Sequence, residues 1–140
     1  MAYRDTPDRQ LFDAARDGDI EGMRTALSNG AYINWHQPHG FNWTPLHAAA
    51  MSNNINAVQW LLSKGATVDS RDKLGYTPLI AAAGNGHTQV VTMLLEIGAD
   101  VTASTVYGKT ALDCAERNGH SEVATLLRVH SGNVFISLLN

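Results

Sequence analysis

The chain has 140 residues, of which 44% are hydrophobic and 16% charged, and its net charge is −3. This length predicts one domain, large enough to bury a core if neighbouring segments share it. The sequence has no stripe of lysine and arginine, so nucleic acids and anionic membranes are poor candidate partners.

The same composition bears on where the protein is found. Cys114 is the single cysteine, which excludes an intramolecular disulfide and favours a reducing compartment. The first ten residues are polar and do not form a signal peptide, and no apolar run is long enough to cross a bilayer. We therefore expect a soluble intracellular protein, in the cytoplasm or else in the nucleus.

The first 35 residues predict a flexible end followed by an atypical helix pair. Residues 1–8 are expected to be flexible, and a first repeat follows over residues 9–35, without the Thr-Pro pair that later repeats carry. Small and polar side chains stand at positions that are apolar in later repeats, for example Gly22 where Val90 stands. This pattern is typical of a terminal repeat with solvent on one side.

The connector that opens the second predicted repeat (residues 36–70) is two residues longer than its counterparts. It contains Trp35, Trp43 and Phe41, and Pro38 and the two residues after it are suited to a tight turn at its tip. Later in this repeat Trp60 occupies a position that is apolar in the other copies, and we expect it to pack in the core.

The third predicted repeat, residues 71–103, contains the most complete unit. Thr77 and Pro78 predict the start of a helix, because threonine caps well and proline is tolerated in a first turn. Three alanines follow, then a Gly-Asn-Gly break, and then a second helix with apolar residues at helical spacing over 90–95. Gly98 is placed to end that helix.

This unit recurs with a step of 33 residues. The positions that keep the step are Thr44, Thr77 and Thr110, and Leu46, Leu79 and Leu112. Through the Thr-Pro-Leu stretches at 43–50 and 75–83 and the Gly-Ala-Asp at 98–100, residues 8–130 resemble the ankyrin repeat family. The resemblance implies an all-α solenoid of stacked helix-turn-helix units with β-hairpin fingers.

The fourth predicted repeat, residues 104–130, departs from this pattern. Asp113 stands where the second repeat has His47, and Arg128 stands at a stacking position that is leucine elsewhere. A charge there is costly inside a stack, so we expect the array to end here. The tail, residues 131–140, is apolar and either folds back over the last helix pair or pairs with another chain.

No catalytic, metal or cofactor site is expected. The acidic residues are scattered, and Cys114 aligns with alanines, which predicts a buried structural thiol. His36 and His39 lie near His47, but without cysteines or a second paired motif we expect no zinc site. The family resemblance implies that His47 is structural, and that Asn34 aligns with a position that can be hydroxylated in animals.

The resemblance also implies where a partner protein binds, namely the face formed by the finger tips and the outward positions of each first helix. The residues that map there are Trp43, Met51, Lys73, Leu74, Tyr76, Val106, Tyr107, Lys109 and Arg117. Trp43, Tyr76 and Tyr107 would form an aromatic ridge on this face, unless the finger aromatics instead pack on each other.

The sequence therefore predicts a non-catalytic protein–protein interaction module, acting as an adaptor, inhibitor or assembly factor. The alternative is a homo-oligomeric structural protein that assembles through its apolar tail.

Overall fold

A computed structural model describes residues 5–133, which form four helix pairs in a row. The first helices of the pairs are α1 (Pro7–Asp17), α3 (Pro45–Met51), α5 (Pro78–Gly84) and α7 (Ala111–Arg117). The second helices are α2 (Ile20–Ser28), α4 (Ile55–Ser63), α6 (Thr88–Glu96) and α8 (Ser121–Arg128). The predicted all-α solenoid is confirmed. Within the described part, no helix is long and apolar enough to cross a membrane.

The predicted helix starts are confirmed at the atomic level. The side-chain oxygens of Thr44, Thr77 and Thr110 each accept a hydrogen bond, at 3.2 Å, from the backbone N–H three residues later. Each bond satisfies an amide that would otherwise lack a partner at the helix terminus. Gly98 follows the end of α6 with φ +95°, the left-handed conformation in which glycine is not strained.

Small side chains allow the first helices to stack closely. α1 packs on α3, α3 on α5 and α5 on α7, while the second helices pack along the outer side. The facing alanines are fully buried: Ala49, Ala50, Ala82 and Ala83. The second helices supply bulkier core residues, such as Val90 and Leu94. Each central repeat therefore buries its helices against two neighbours.

Side chains in the second, third and fourth pairs bond back to the pair before. The Asn54 side-chain amide donates to the Ala15 carbonyl at 3.2 Å and lies against that of Arg16. His87 Nε2 lies 3.0 Å from the Met51 carbonyl, and the Asn118 amide donates to the Gly84 carbonyl at 2.7 Å. These bonds satisfy carbonyls at the ends of the first helices, which helix geometry leaves without a partner.

The fingers between the pairs are tight turns rather than extended hairpins. A backbone hydrogen bond joins the two ends of each turn, from the N–H of Gln37 to Trp43, of Asp72 to Tyr76 and of Thr105 to Lys109, at 2.8–2.9 Å. Within the described residues, β pairing is limited to one isolated bridge, Ser104 with Thr110. The β-hairpin detail is thus corrected, because turns closed over five to seven residues leave no length for a strand ladder.

Backbone hydrogen bonds join neighbouring fingers to each other. The Lys73 N–H donates to the Phe41 carbonyl at 2.7 Å, and the Val106 N–H donates to the Leu74 carbonyl at 2.9 Å. At Gly75, whose φ is +82°, an added Cβ would lie only 3.1 Å from the Val106 nitrogen. The three fingers therefore form one continuous row along the stack.

The structure differs from the sequence prediction at the N-terminus. α1 begins at Pro7, inside the segment expected to be flexible, because Thr6 caps it. The first helix pair therefore does begin with a Thr-Pro signal, contrary to the prediction. In addition, the Asp8 carboxylate accepts from the Tyr32 N–H at 2.7 Å.

At the other end, Arg128 is exposed and forms an ion pair with Glu116 at 2.9 Å, as expected for the end of the array. A π-helical turn, Val129–Asn133, continues α8. The tail predicted to fold back, or to pair with another chain, lies from residue 134 onward outside the described residues.

Candidate functional site

Three adjoining clefts lie between the fingers and the first helices, and together we call them the inner groove. The N-terminal cleft, about 240 Å³, is lined by Arg9, Phe12, Arg16, Gln37, His39, Gly40, Phe41 and Trp43. The apolar pocket, about 240 Å³, is lined by Phe41, Trp43, Met51, Asp72, Leu74, Tyr76 and Ala81. The cationic cleft, about 330 Å³, is lined by Tyr76, Tyr107, Lys109, Asp113, Cys114, Arg117 and Asn118.

The inner groove contains seven of the nine predicted site residues. Lys73 and Val106 line none of the three clefts; they lie on the fingers, where Val106 is 64% exposed. Because Phe41 and Trp43 line the first two clefts and Tyr76 lines the last two, the groove is continuous across all four repeats.

Trp43 is fixed in place by the next finger. Its indole Nε1–H donates to the Asp72 carboxylate at 3.0 Å. The other oxygen of that carboxylate accepts from the backbone N–H groups of Leu74 and Tyr76, at 2.9 and 2.8 Å. Asp72 thus holds its own turn in shape and orients the indole, so its negative charge is already shared among three donors.

The predicted aromatic ridge is not uniform. Trp43 and Tyr76 are half-buried, and Tyr76 also packs against the core. Burial raises the pKa of the Tyr76 hydroxyl, with a smaller contribution from nearby Cys114. Tyr107, by contrast, is 68% exposed. The first two aromatics are therefore partly structural, whereas the third is available to a ligand.

His47 supports the apolar pocket from behind. It is fully buried, its Nδ1 accepts from the Thr44 N–H at 3.1 Å, and its Nε2 lies 2.7 Å from the Tyr76 carbonyl. Since Nδ1 accepts, Nε2 carries the proton and donates. Burial lowers the pKa of this imidazole, which keeps it neutral. The structural role implied for His47 is confirmed.

Most of the cations in the described residues already have partners. Arginines 9, 16, 24 and 128 form ion pairs with carboxylates, Arg71 donates to two carbonyls, and Lys64 lies 5.7 Å from the centre of the Trp60 ring. That Trp60 ring is only half-buried, at the edge of the core.

Three cations have no such partner within residues 5–133, and all three belong to the predicted binding face. They are Lys73, Lys109 and Arg117, all exposed. Asp113 lines the same cleft as Lys109 and Arg117, and its carboxylate accepts from the Thr110 N–H at 3.0 Å. This bond lowers the pKa of Asp113, with a smaller contribution from the charge of Lys109. The lining of this cleft therefore holds two cations and one carboxylate, so its net charge is positive.

Cys114 differs from its prediction. It lines the cationic cleft and is only half-buried, because Gly84 and the open end of the groove leave one side uncovered. Burial of the sulfur raises the pKa of the thiol, the opposite of what a nucleophile requires. Within residues 5–133 there is no group of three side chains able to hold a metal ion.

Sequence reasoning missed several groove residues. Phe41, 54% exposed, lies in the lengthened connector, and that insertion was the available signal. Asp72 was signalled by the spacing Asp-x-x-Gly before Gly75, typical of a side-chain-stabilised turn. The N-terminal cleft had no signal, since Phe12 and Arg16 come from α1 and meet the first finger only after folding.

Comparison with known proteins agrees with the repeat pattern. A sequence model of three consecutive ankyrin repeats matches residues 11–105, and a model of a single ankyrin repeat matches residues 107–137. The chain is similar to the human "Arf-GAP with coiled-coil, ANK repeat and PH domain-containing protein 2", with 34% identity over 69 residues. That match covers 49% of this chain and 9% of the relative.

Two further relatives give matches of the same kind. The human protein 3 of the same description is 36% identical over 59 residues, covering 42% of this chain and 7% of its own length. The chicken protein 2 is 34% identical over 69 residues, covering 49% of this chain and 9% of its own length. The chain thus spans less than a tenth of the length of these relatives.

Proposed function

This chain belongs to the ankyrin repeat family, and on that premise we propose that it is an adaptor, inhibitor or assembly factor that binds a partner protein in the inner groove. Ankyrin repeats are generally protein–protein interaction modules and generally non-catalytic. We place its action in the cytoplasm.

The observation that carries this proposal is the chemistry of the groove surface. The exposed Phe41 lines the apolar pocket, and the exposed Tyr107 lines the adjoining cationic cleft. Two cations without an ion pair in the described residues, Lys109 and Arg117, line that cleft with Tyr107. Aromatic residues and arginine dominate the energetics of protein interfaces because they bury large areas and form several contacts each.

The groove is better suited to a protein than to a small substrate. Each of its clefts has a volume of about 240–330 Å³, at or below the lower end of the range of pocket volumes for drug-sized ligands. The three clefts lie in a row across four repeats. Its one thiol has a raised pKa, and its carboxylates already accept backbone hydrogen bonds. These features favour an extended contact surface over a reaction centre.

Two exposed tyrosines provide a matched test. Tyr107, 68% exposed, lines the groove, whereas Tyr32, 62% exposed, does not line any of the three clefts. Proteins captured from a lysate of the source cells by wild type, Tyr107→Ala and Tyr32→Ala would be quantified by mass spectrometry. We expect Tyr107→Ala to lose a specifically captured protein by about tenfold, and Tyr32→Ala to retain it.

Equal capture by all three proteins would contradict binding in the groove. The alternative, assembly of identical chains through residues 131–140, is tested separately by size-exclusion chromatography of the chain with and without those residues. A shift from oligomer to monomer on deletion would favour that alternative.

A further inference from the structure

The apolar pocket has the size and lining of a receptor for one large side chain. Its volume is about 240 Å³, and Met51, Leu74 and the Trp43 ring form its walls. Its polar group, Asp72, is occupied by the Trp43 indole and two backbone amides, so it offers a ligand little hydrogen-bonding capacity. An apolar side chain therefore gains the most by entering it.

The next cleft along the stack has the opposite character. Lys109 and Arg117 line it without an ion pair or side-chain hydrogen bond inside the described part of the chain, and Asp113 is the carboxylate in its lining. The chain as a whole has a net charge of −3. Two cations against one carboxylate leave this cleft with a net positive charge on an acidic protein, which provides charge complementarity for an acidic group.

The two sites are one repeat apart. The apolar pocket lies between the second and third repeats and the cationic cleft between the third and fourth, with Tyr76 shared. Packed helices lie 8–10 Å apart, so the sites are separated by about 10 Å. A partner in extended conformation covers this distance in about three or four residues, and a helix in about seven.

From these observations, and resting on the proposed function, we infer that the groove recognises a protein segment with one large apolar side chain and one acidic side chain about 10 Å away. The apolar side chain enters the pocket beside Trp43 and Leu74. The carboxylate pairs with Arg117 and Lys109.

Peptide display tests this inference without knowledge of the partner. Random 12-residue peptides on phage would be selected against the full chain, with its fold verified by circular dichroism. We expect enrichment of Leu, Met or Phe followed or preceded by Asp or Glu, at a spacing of three to four or seven. Enrichment of acidic peptides by a chain of net charge −3 is the reverse of what non-specific attraction produces.

A charge-matched pair of variants makes the test specific. Lys109→Glu with Arg117→Glu reverses the cleft, and Arg24→Glu with Lys64→Glu reverses two exposed cations that line none of the three clefts. Each reversal removes two charge units, so both double variants have net charge −7. For a synthetic copy of the best peptide, we expect at least a tenfold affinity loss in the first variant, and less than threefold in the second.

The outcomes separate this inference from the proposed function. Peptides that lose binding on Leu74→Ser but show no acidic enrichment would overturn the inference and leave groove binding intact. Peptides that bind the two double variants and Leu74→Ser equally would overturn the inference and the proposed function together. If no peptide is enriched, the inference alone is overturned. The same holds if a single-stranded oligonucleotide binds more tightly than the best peptide and this binding depends on Arg117.

Discussion

The second and fourth repeats use the same position of the same helix in different ways. In the second repeat His47 is fully buried and connects Thr44 to the Tyr76 carbonyl of the following repeat. In the fourth repeat the exposed Asp113 forms the same reciprocal cap with Thr110, but no described repeat follows to receive a further bond. The third repeat has Ile80 there and keeps only the threonine half of the cap.

The difference separates two tasks that a single histidine performs. Closing the helix terminus requires only an acceptor for the N–H of the capping residue, which a carboxylate supplies as well as an imidazole. Connecting two repeats requires a second nitrogen on the far side of a rigid ring, which only histidine offers here. His47 is therefore a structural connection between two repeats, whereas Asp113 only closes the start of its own helix.

The largest effect expected from this comparison is on stability. His47→Ala should lower the free energy of unfolding by about 3 kcal/mol, because it leaves a cavity and buried polar groups without partners. Asp113→Ala removes only an exposed cap and should cost about 1 kcal/mol. Urea unfolding followed by circular dichroism measures both.

Equal losses of unfolding free energy in the two variants would contradict the different roles assigned to His47 and Asp113. Asp113→Asn, which keeps an acceptor oxygen at the cap, serves as the matched control and should cost less than Asp113→Ala.

A smaller effect is expected at the aromatic residues. Trp43→Ala removes a half-buried indole and its bond to Asp72, and should cost about 2 kcal/mol. Tyr107→Ala removes a largely exposed ring and should change stability by less than about 0.5 kcal/mol. Thermal unfolding of the two variants gives the ranking, and Trp43→Phe, which keeps the ring but not the donor, should lie between them. If Tyr107→Ala is as destabilising as Trp43→Ala, the fourth repeat is as structural as the second.

The smallest effect is on how the free energy of unfolding depends on pH. His47 in the second repeat and Asp113 in the fourth should contribute over different pH ranges. The pKa of His47 is lowered in the fold from its usual 6.5, so its stabilisation is complete above 6.5. It is lost as the pH falls below 6.5, because the unfolded chain then binds the proton more readily. From pH 7.5 to 5.5 the wild type should therefore lose stability relative to His47→Gln, which has no titrating group at this position.

Asp113 has its pKa lowered from 3.8, so its contribution persists above 3.8 and is lost only as the pH falls through its folded value. Urea midpoints of wild type and His47→Gln across pH 4–8 measure the difference. Parallel curves above pH 5 would show that His47 is not the group responsible.

The parts of the fold predicted from sequence are those with local causes. The Thr-Pro caps, the helix-ending Gly98 and the period of 33 residues each depend on residues that are neighbours in the chain. The same signal at Thr6 and Pro7 was present but overlooked, because α1 is about one turn longer than α3 and its cap falls out of register with the period.

What could not be predicted depends on contacts between distant residues. Trp43 meets Asp72 across 29 positions, and nothing near Trp43 in the sequence distinguishes an anchored indole from a free one. Likewise, a sequence does not reveal that Arg128 forms an ion pair with Glu116 while Arg117 forms none with the carboxylates of residues 5–133. The sequence placed nine residues on one face, and the structure divides them into supporting and exposed groups.

The bonds from Asn54, His87 and Asn118 all run from a later helix pair to the one before it. During synthesis on the ribosome, the carbonyls that receive these bonds have therefore already been made when each donor leaves the exit tunnel. At 5–20 residues per second a new unit of 33 residues emerges in about 2 to 7 s. These helix ends therefore gain their inter-repeat bonds only when the next unit has emerged, and the same holds for His47 and Trp43, whose partners Tyr76 and Asp72 lie in the following repeat.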